Sequence, residues 1–236
     1  MFSTFGKNVF LAVVEDITTD LDLLHPDELL LGERFNSTKR CEDFFRGRIA
    51  ARRALSVAGC QASFPLLIGE SGEPLWPETI AGSISHSSAV AVAAVASKCH
   101  MPLLGIDLQT IITIERAVKL LGRIASDSER AWVNADPVNV GLRSTAIFSL
   151  KEAAYKMLFP GVTEEEHLRF SDIEIHFEGE HPRFARLERT LAARAEDCYL
   201  EGFLSRGAVF PVNLEQRDSL LLSAMWIDNV RVTLAR

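Results

Sequence analysis

Two segments of this chain carry residue types at spacings that suit chemistry on a phosphate. Phe148-Ser149-Leu150-Lys151-Glu152-Ala153-Ala154-Tyr155-Lys156 offers a carboxylate and an ammonium one helical turn apart, and Gly105-Ile106-Asp107-Leu108-Gln109 offers a second carboxylate at the end of an apolar run. Together they could hold a divalent cation, for which carboxylate oxygens are suitable hard donors, and a phosphate, whose charge an ammonium neutralises. A third segment, Gly82-Ser83-Ile84-Ser85-His86-Ser87-Ser88, reads as a hydroxyl-rich turn able to present backbone N–H groups, a hydroxyl and the His86 imidazole to a phosphate.

The elements that must position these groups follow from the hydrophobic pattern. At 3.6 residues per turn, Leu150, Ala153, Ala154, Met157 and Leu158 form one apolar stripe while Glu152 and Lys156 project together from the other side, and Pro160-Gly161 stops the helix. Taken alone, that pair is better read as an ordinary surface ion pair. Ala89 to Ala96 is nearly all Ala and Val, and Leu103-Leu104-Gly105-Ile106 leads into Asp107, so two buried strands are expected with a turn at His100-Met101-Pro102. An acid at the end of a buried strand needs a partner, which a metal would supply; Asp107 by itself reads equally as a cap for the turn before Thr110. A lone histidine such as His86 is more often structural or simply exposed, and only its company favours a phosphate contact.

Elsewhere the pattern predicts a strand at Val9 to Val14, helices through a basic segment, a loop from Ser63 to Pro77 and a strand at Val90 to Val95. Helices follow at Thr113 to Leu121 and Ser126 to Val133, with Asp127 and Glu129 near a helix start. Strands are expected at Ile173 to Phe177, Tyr199 to Leu204, Leu220 to Trp226 and Val230 to Leu234. Two similar halves result, 1–104 and 105–236.

The basic segment carries Arg34, Lys39, Arg40, Arg46, Arg48, Arg52 and Arg53 between Glu33 and Leu55, inside a chain of net charge −7. Arg48 and Arg52 share one face of a helix, and two guanidiniums there suit bidentate contact with a phosphate; a solvated helical face with i,i+4 pairing is the other reading, and the better one for Arg34, Lys39 and Arg53.

The order of the three chemistry-bearing segments, with Phe45-Arg46-Gly47-Arg48-Ile49-Ala50-Ala51-Arg52-Arg53-Ala54-Leu55 and Gly72-Glu73-Pro74-Leu75-Trp76-Pro77 upstream, resembles the 4′-phosphopantetheinyl transferases, closest to the surfactin and enterobactin-synthase component D type. The resemblance runs from about residue 34 to residue 158. It implies an α+β pseudo-dimer of two similar α/β halves, each a small antiparallel-rich sheet packed on a long helix. It also implies transfer of the phosphopantetheine arm of coenzyme A to a serine of an apo acyl, peptidyl or aryl carrier protein, releasing adenosine 3′,5′-bisphosphate. By motif position, Asp107, Gln109 and Glu152 would ligate Mg²⁺, with Mn²⁺ as a substitute. Glu152 would be the base toward the carrier serine, directly or through a water, and Lys156 would neutralise phosphate charge with Lys151 as a weaker candidate. Arg48, Arg52, Ser85 and His86 would contact coenzyme A, Arg48 and Arg52 at its 3′-phosphate.

Two positions depart from the family pattern. Gln109 stands where a glutamate is usual, which removes one formal charge from the metal site; a coenzyme A-binding homologue with weak or no transferase activity is therefore the alternative reading. Glu70-Ser71 stands where a basic residue often precedes Gly72-Glu73-Pro74. A serine hydrolase built from Ser85 or Ser87, His86 and Asp107 is disfavoured, because there is no Gly-x-Ser-x-Gly elbow and adjacent residues on an extended chain point apart.

The composition is that of an ordinary globular protein, with 236 residues, 47% hydrophobic and 24% charged. Its acidity disfavours nucleic acid as a partner, and an acidic carrier would need a local basic patch such as Arg34 to Arg53. Val9 to Val14 is too short to span a bilayer and lacks a small-residue cleavage site. Cys41, Cys60, Cys99 and Cys198 show no metal or disulfide spacing, so a reducing cytoplasm is expected. The expected state is a monomer serving siderophore or other secondary-metabolite synthesis.

Overall fold

The computed structural model describes residues 8–17, 20–60, 63–163, 167–194 and 200–227. These divide into two compact units, one ending at Leu104 and the other spanning Gly105–Ile227. The architecture is mixed α+β, with a sheet and a long helix in each unit, in agreement with the expected fold class.

The first unit is built from β1 (Val9–Val14), α1 (Pro26–Gly32), α2 (Thr38–Val57), β2 (Ile80–Ser87) and β3 (Val90–Ser97). Its antiparallel sheet has the order β1-β3-β2, so the Ala/Val strand lies in the middle. Ala91, Val92, Ala93, Ala94 and Val95 are fully buried, as are Ile49, Ala50, Ala51, Ala54 and Leu55 of α2, which packs on β3 and β1. Small side chains on both surfaces let helix and sheet approach closely and account for the core of this unit. The segment expected as a hydroxyl-rich turn is instead β2, paired to β3 from Ile80↔Ser97 to Ser87↔Val90; the turn lies beyond it, at Ser88, where φ is +56°. Serine-rich composition favours turns locally, but the partner strand supplies the ladder that overrides it.

The second unit contains β4 (Leu103–Thr110), α3 (Ile114–Ile124), α4 (Asp127–Asn134), α5 (Val140–Leu158), β5 (Ile173–Glu178), β6 (His181–Leu187), β7 (Val209–Arg217) and β8 (Leu220–Ile227). Its sheet runs β4-β8-β7-β6-β5 among the described residues. The apolar stripe of α5 is buried throughout, and a 3₁₀ turn at Phe159–Gly161 ends the helix where Pro160-Gly161 was expected to end it. The expected strand at Tyr199 to Leu204 is not one: its described part is a helical turn in which Leu204 N–H donates to the Leu200 carbonyl. The expected strand at Val230 to Leu234 lies outside the described residues. Two unexpected strands, β6 and β7, carry Pro182 and Pro211, which weaken a strand signal even though each pairs in the sheet.

The units repeat one plan. Strand β1 and the β2–β3 hairpin give the order β1-β3-β2, and β4 with the β7–β8 hairpin gives β4-β8-β7, to which β6 and β5 are added. Each unit also carries the same buried ionic device. Glu28, at the third position of α1, closes a capping box with His25; its Oε2 accepts from His25 N–H and from Arg52 Nε of α2, both at 2.8 Å, and its Oε1 from Leu66 N–H at 2.9 Å. Glu129, at the third position of α4, closes a capping box with Ser126; its Oε2 accepts from Ser126 N–H at 2.7 Å and lies 2.9 Å from Lys151 Nζ of α5, and its Oε1 accepts from Ile175 N–H at 2.9 Å. Both carboxylates are fully buried. A buried charge is tolerable only when paired and hydrogen-bonded on every side, which both glutamates achieve.

Removing one partner leaves the other charged and buried, so Glu129→Ala should lower the stability of the chain by about 3–5 kcal/mol, read as a shift of the urea unfolding midpoint. An unchanged midpoint would show that Lys151 finds other compensation.

Candidate active site

Strand β4 and helix α5 of the second unit assemble the candidate site. A Cβ placed on Gly105 would fall 1.9 Å from the Ala153 carbonyl oxygen and 2.7 Å from Met157 N, so strand and helix backbones touch here and no other residue fits. Ser149 Oγ donates to the Asp107 carbonyl at 3.3 Å, and Ile112 N–H donates to Thr145 Oγ1 at 3.0 Å, tying the end of the strand and the residues after it to α5. With a side-chain period of two, Gly105, Asp107 and Gln109 lie on one face of the strand. Asp107 thereby meets α5: its Oδ1 accepts from Lys156 Nζ at 2.7 Å, and its side chain is only 2% exposed.

Glu152 stands on the same helix one turn before Lys156 and is half-buried. Burial first, and then the neighbouring Asp107 charge, push its carboxyl above the usual glutamate value, while Lys156 pulls in the opposite direction. The three side chains form a coupled set of two carboxylates and an ammonium. Two oxygen-donor carboxylates side by side, with the Asp107 charge opposing ionisation of Glu152, fit a hard divalent cation, with Gln109 on the Asp107 face as a further oxygen donor.

Lys151 has a place other than the one expected. Its ammonium is 1% exposed, ion-paired to Glu129, and donates to the carbonyls of Ile124 at 2.8 Å and Phe170 at 3.0 Å. Burial lowers its pKa while Glu129 raises it. One residue along a helix turns the side chain by about 100°, so Lys151 and Glu152 face different surroundings although adjacent in sequence.

Arg48 and Arg52 in the first unit are likewise turned to structural work. Arg48 Nε donates to the Leu66 carbonyl at 2.8 Å, a second nitrogen reaches the Leu67 carbonyl at 3.3 Å, and the guanidinium lies 4.6 Å from the centre of the Phe44 ring. Burial above all pushes it down to about 10, with Glu28 opposing and Arg52 adding to the shift, so it stays charged at neutral pH. Arg52 pairs with Glu28 and donates to the Phe64 carbonyl at 3.0 Å. The two arginines thus pin the 64–67 loop to α2. Ser85 is buried on one face of β2, whereas His86, the next residue, is on the other face with 49% of its side chain exposed. Of the expected residues the structure brings together Asp107, Glu152 and Lys156.

Sequence reasoning missed Glu28 and Glu129 as hubs. The pattern Ser126-x-x-Glu129 is a capping-box signature that was available for one of them; the histidine cap before Glu28 is not a usual one.

Comparison with known proteins bears on the same residues. A model of the 4′-phosphopantetheinyl transferase N-terminal domain matches residues 33–96, and a model of the 4′-phosphopantetheinyl transferase superfamily matches residues 103–206. The chain is 34% identical to enterobactin synthase component D of Salmonella typhi over 60% of its own length and 56% of the relative's. It is 33% identical to the 4′-phosphopantetheinyl transferase Npt of Nocardia iowensis, over 56% and 60% of the two lengths, and 32% identical to PptT of Mycobacterium tuberculosis, over 65% of each. The chain therefore spans 56% to 65% of the lengths of these relatives. Among solved structures, the holo-[acyl-carrier-protein] synthase of Helicobacter pylori in complex with coenzyme A aligns at 24% identity and a TM-score of 0.35, covering 52% of this chain and 97% of that one.

The charges around Glu152 shift its titration. Carboxyl carbon NMR should show Glu152 titrating above the ordinary glutamate value, higher again in Lys156→Ala and lower in Asp107→Asn. Insensitivity to both substitutions would separate Glu152 from the pair.

Proposed function

The chain belongs to the 4′-phosphopantetheinyl transferase superfamily, and we propose that it moves the phosphopantetheine arm of coenzyme A onto a serine hydroxyl of an apo carrier protein, releasing adenosine 3′,5′-bisphosphate. The observation that carries this reading is the set Asp107, Glu152 and Lys156, held by the Gly105 contact at one end of α5. Phosphoryl transfer asks a protein mainly to position its reactants and neutralise charge.

Each residue then has a role. Glu152, whose raised pKa makes it a better proton acceptor than an exposed glutamate, takes the serine proton, directly or through a water, as Oγ forms its bond to phosphorus. The bond from that phosphorus to the bridging pyrophosphate oxygen breaks, and Lys156, 29% exposed at its side chain, meets the charge that collects on the departing phosphate. Asp107 and Glu152 would hold a magnesium ion, with Gln109 as a third oxygen donor. When bound, that ion would offset the pyrophosphate charge. His86 of the first unit, half exposed, is the proposed phosphate contact of that unit. The carrier is proposed to belong to siderophore or other secondary-metabolite synthesis and the protein to act in the cytoplasm as a monomer; no described helix is long and apolar enough to cross a membrane.

Gln109 supports a second reading, a coenzyme A-binding homologue with little transfer. Incubation with coenzyme A, Mg²⁺ and a panel of apo carriers separates the two: a carrier mass gain of one phosphopantetheine is expected, and retained coenzyme A binding without any gain would favour the second. Glu152→Gln should reduce transfer by at least about 10²-fold without lowering the melting temperature at neutral pH. The sign follows from the raised pKa: a group that holds its proton more tightly when folded stabilises in acid, and that stability is lost as pH rises through the folded value, so a neutral amide removes a cost at pH 7. Gln109→Glu should tighten Mg²⁺ in a direct metal titration, and an unchanged titration would place this side chain outside the coordination sphere.

A further inference from the structure

Strands β5 and β6 bring three metal-ligating side chains to one place in the second unit. Glu174 and His176 are two residues apart on β5 and share a face. Arg186 lies opposite Glu174 and Phe184 opposite His176, and Glu188 follows the end of β6, its N–H donating to the Asp172 carbonyl at 2.8 Å. One donor atom from each of Glu174, His176 and Glu188 falls within 4.8 Å of the other two, and all three residues are half-buried.

The donors are held from behind. Glu174 Oε1 accepts from Ser126 Oγ at 3.1 Å and from Ser128 Oγ at 2.5 Å, which leaves Oε2 for the His176 side. The imidazole stacks on the Phe184 ring with centroids 4.6 Å apart, which fixes its plane. His176 Nε2 lies 3.4 Å from Glu174 Oε2, yet it is buried and makes no hydrogen bond among the described residues. A buried polar atom without such a partner is uncommon and asks for a ligand. Two ligands at about 2.0–2.1 Å from a tetrahedral zinc stand about 3.4 Å apart, so the separation that goes unused as a hydrogen bond suits a shared ion.

Arg186 already bridges the two acids, with Nε 2.7 Å from Glu188 Oε1 and a terminal nitrogen 2.9 Å from Glu174 Oε2. The place therefore draws a cation, but the guanidinium serves the carboxylates and leaves the imidazole nitrogen out. With His176 neutral, these four side chains carry one net negative charge, which exchange of the guanidinium for a divalent ion cancels. The Arg186 side chain is 40% exposed and can withdraw into water.

We propose that Glu174, His176 and Glu188 form a zinc site in which the ion replaces the Arg186 guanidinium and water takes the fourth position. Two carboxylates and an imidazole are a donor set that zinc accepts, whereas magnesium prefers oxygen ligands alone. This site and the Asp107–Glu152 pair thus sort the two metals. The ion ties β5 to the residue that ends β6, a structural role separate from group transfer.

The test is a zinc chloride titration of the full chain in saturating Mg²⁺, read by long-range ¹H–¹⁵N spectra of the imidazoles and by zinc stoichiometry. Zinc should move the His176 Nε2 signal to a metal-bound position, and Mg²⁺ alone should leave it in place. Loss of a ligand costs more than loss of a supporting partner, so His176→Gln should weaken zinc at this site by more than about 10²-fold and lower the stoichiometry by one. Arg186→Met removes the competing cation and should tighten zinc by up to about tenfold. A native His176 signal that zinc does not move overturns the proposal. So does a response confined to Arg186→Met, which would make the guanidinium the permanent partner of the two acids. Because His176 can be assigned through its own backbone, the native spectrum decides the outcome even if a variant fails to fold.

Discussion

The structure depends on two buried carboxylates. Glu28 and Glu129 each use one oxygen for the start of a short helix and a cation on a long one, and the other oxygen for a backbone N–H of a later segment, Leu66 or Ile175. A charge with no access to water must be matched on all sides, so three chain segments are fixed to one another at a single point in each unit. The rotation of α2 and α5 about their own axes is set there. Arg52 serves in one unit and Lys151 in the other, and both also donate to backbone carbonyls of segments distant in sequence.

The chemistry inherits that constraint. Once Lys151 is committed to the inside of the second unit, Glu152 and Lys156 are carried to a different side of the same helix, where Asp107 arrives on β4. Hydroxyls at Ser149 and Thr145 hold the end of β4 and the residues after it against α5, so each carboxylate sits on an element that cannot rotate freely. Such placement on rigid elements is what keeps two like charges together in spite of their repulsion, and the raised pKa of Glu152 records burial first and the Asp107 charge second.

Much of this was legible in the sequence, and the limits have physical causes. The apolar stripe Leu150, Ala153, Ala154, Met157, Leu158 placed α5 and its end correctly, and the Ala/Val run gave β3, because period and composition are local properties. The set Asp107, Glu152 and Lys156 was legible from type and spacing. The work of Lys151, Arg48 and Arg52 was not: each lies on a correctly expected helix, but which side of that helix is buried against a glutamate is decided by segments distant in sequence. Serines at Ser83 and Ser85 suggested a turn because their hydroxyls favour one locally, and only the pairing with β3 makes them a strand. Strands β6 and β7 went unseen because prolines interrupt their patterns.

Gly105 has a consequence for how such a chain can diverge. At most positions in a protein interior, spacing between two elements is a matter of side-chain volume, so exchange of one core residue for another shifts the elements by fractions of an ångström. Where β4 crosses α5 there is no volume to exchange, since backbone meets backbone. The distance from Asp107 to the helix is fixed by the thickness of the peptide chain itself. Substitutions accumulating among the leucines and alanines around it can alter stability while leaving that spacing intact, so the reactive geometry is buffered from drift in the rest of the core.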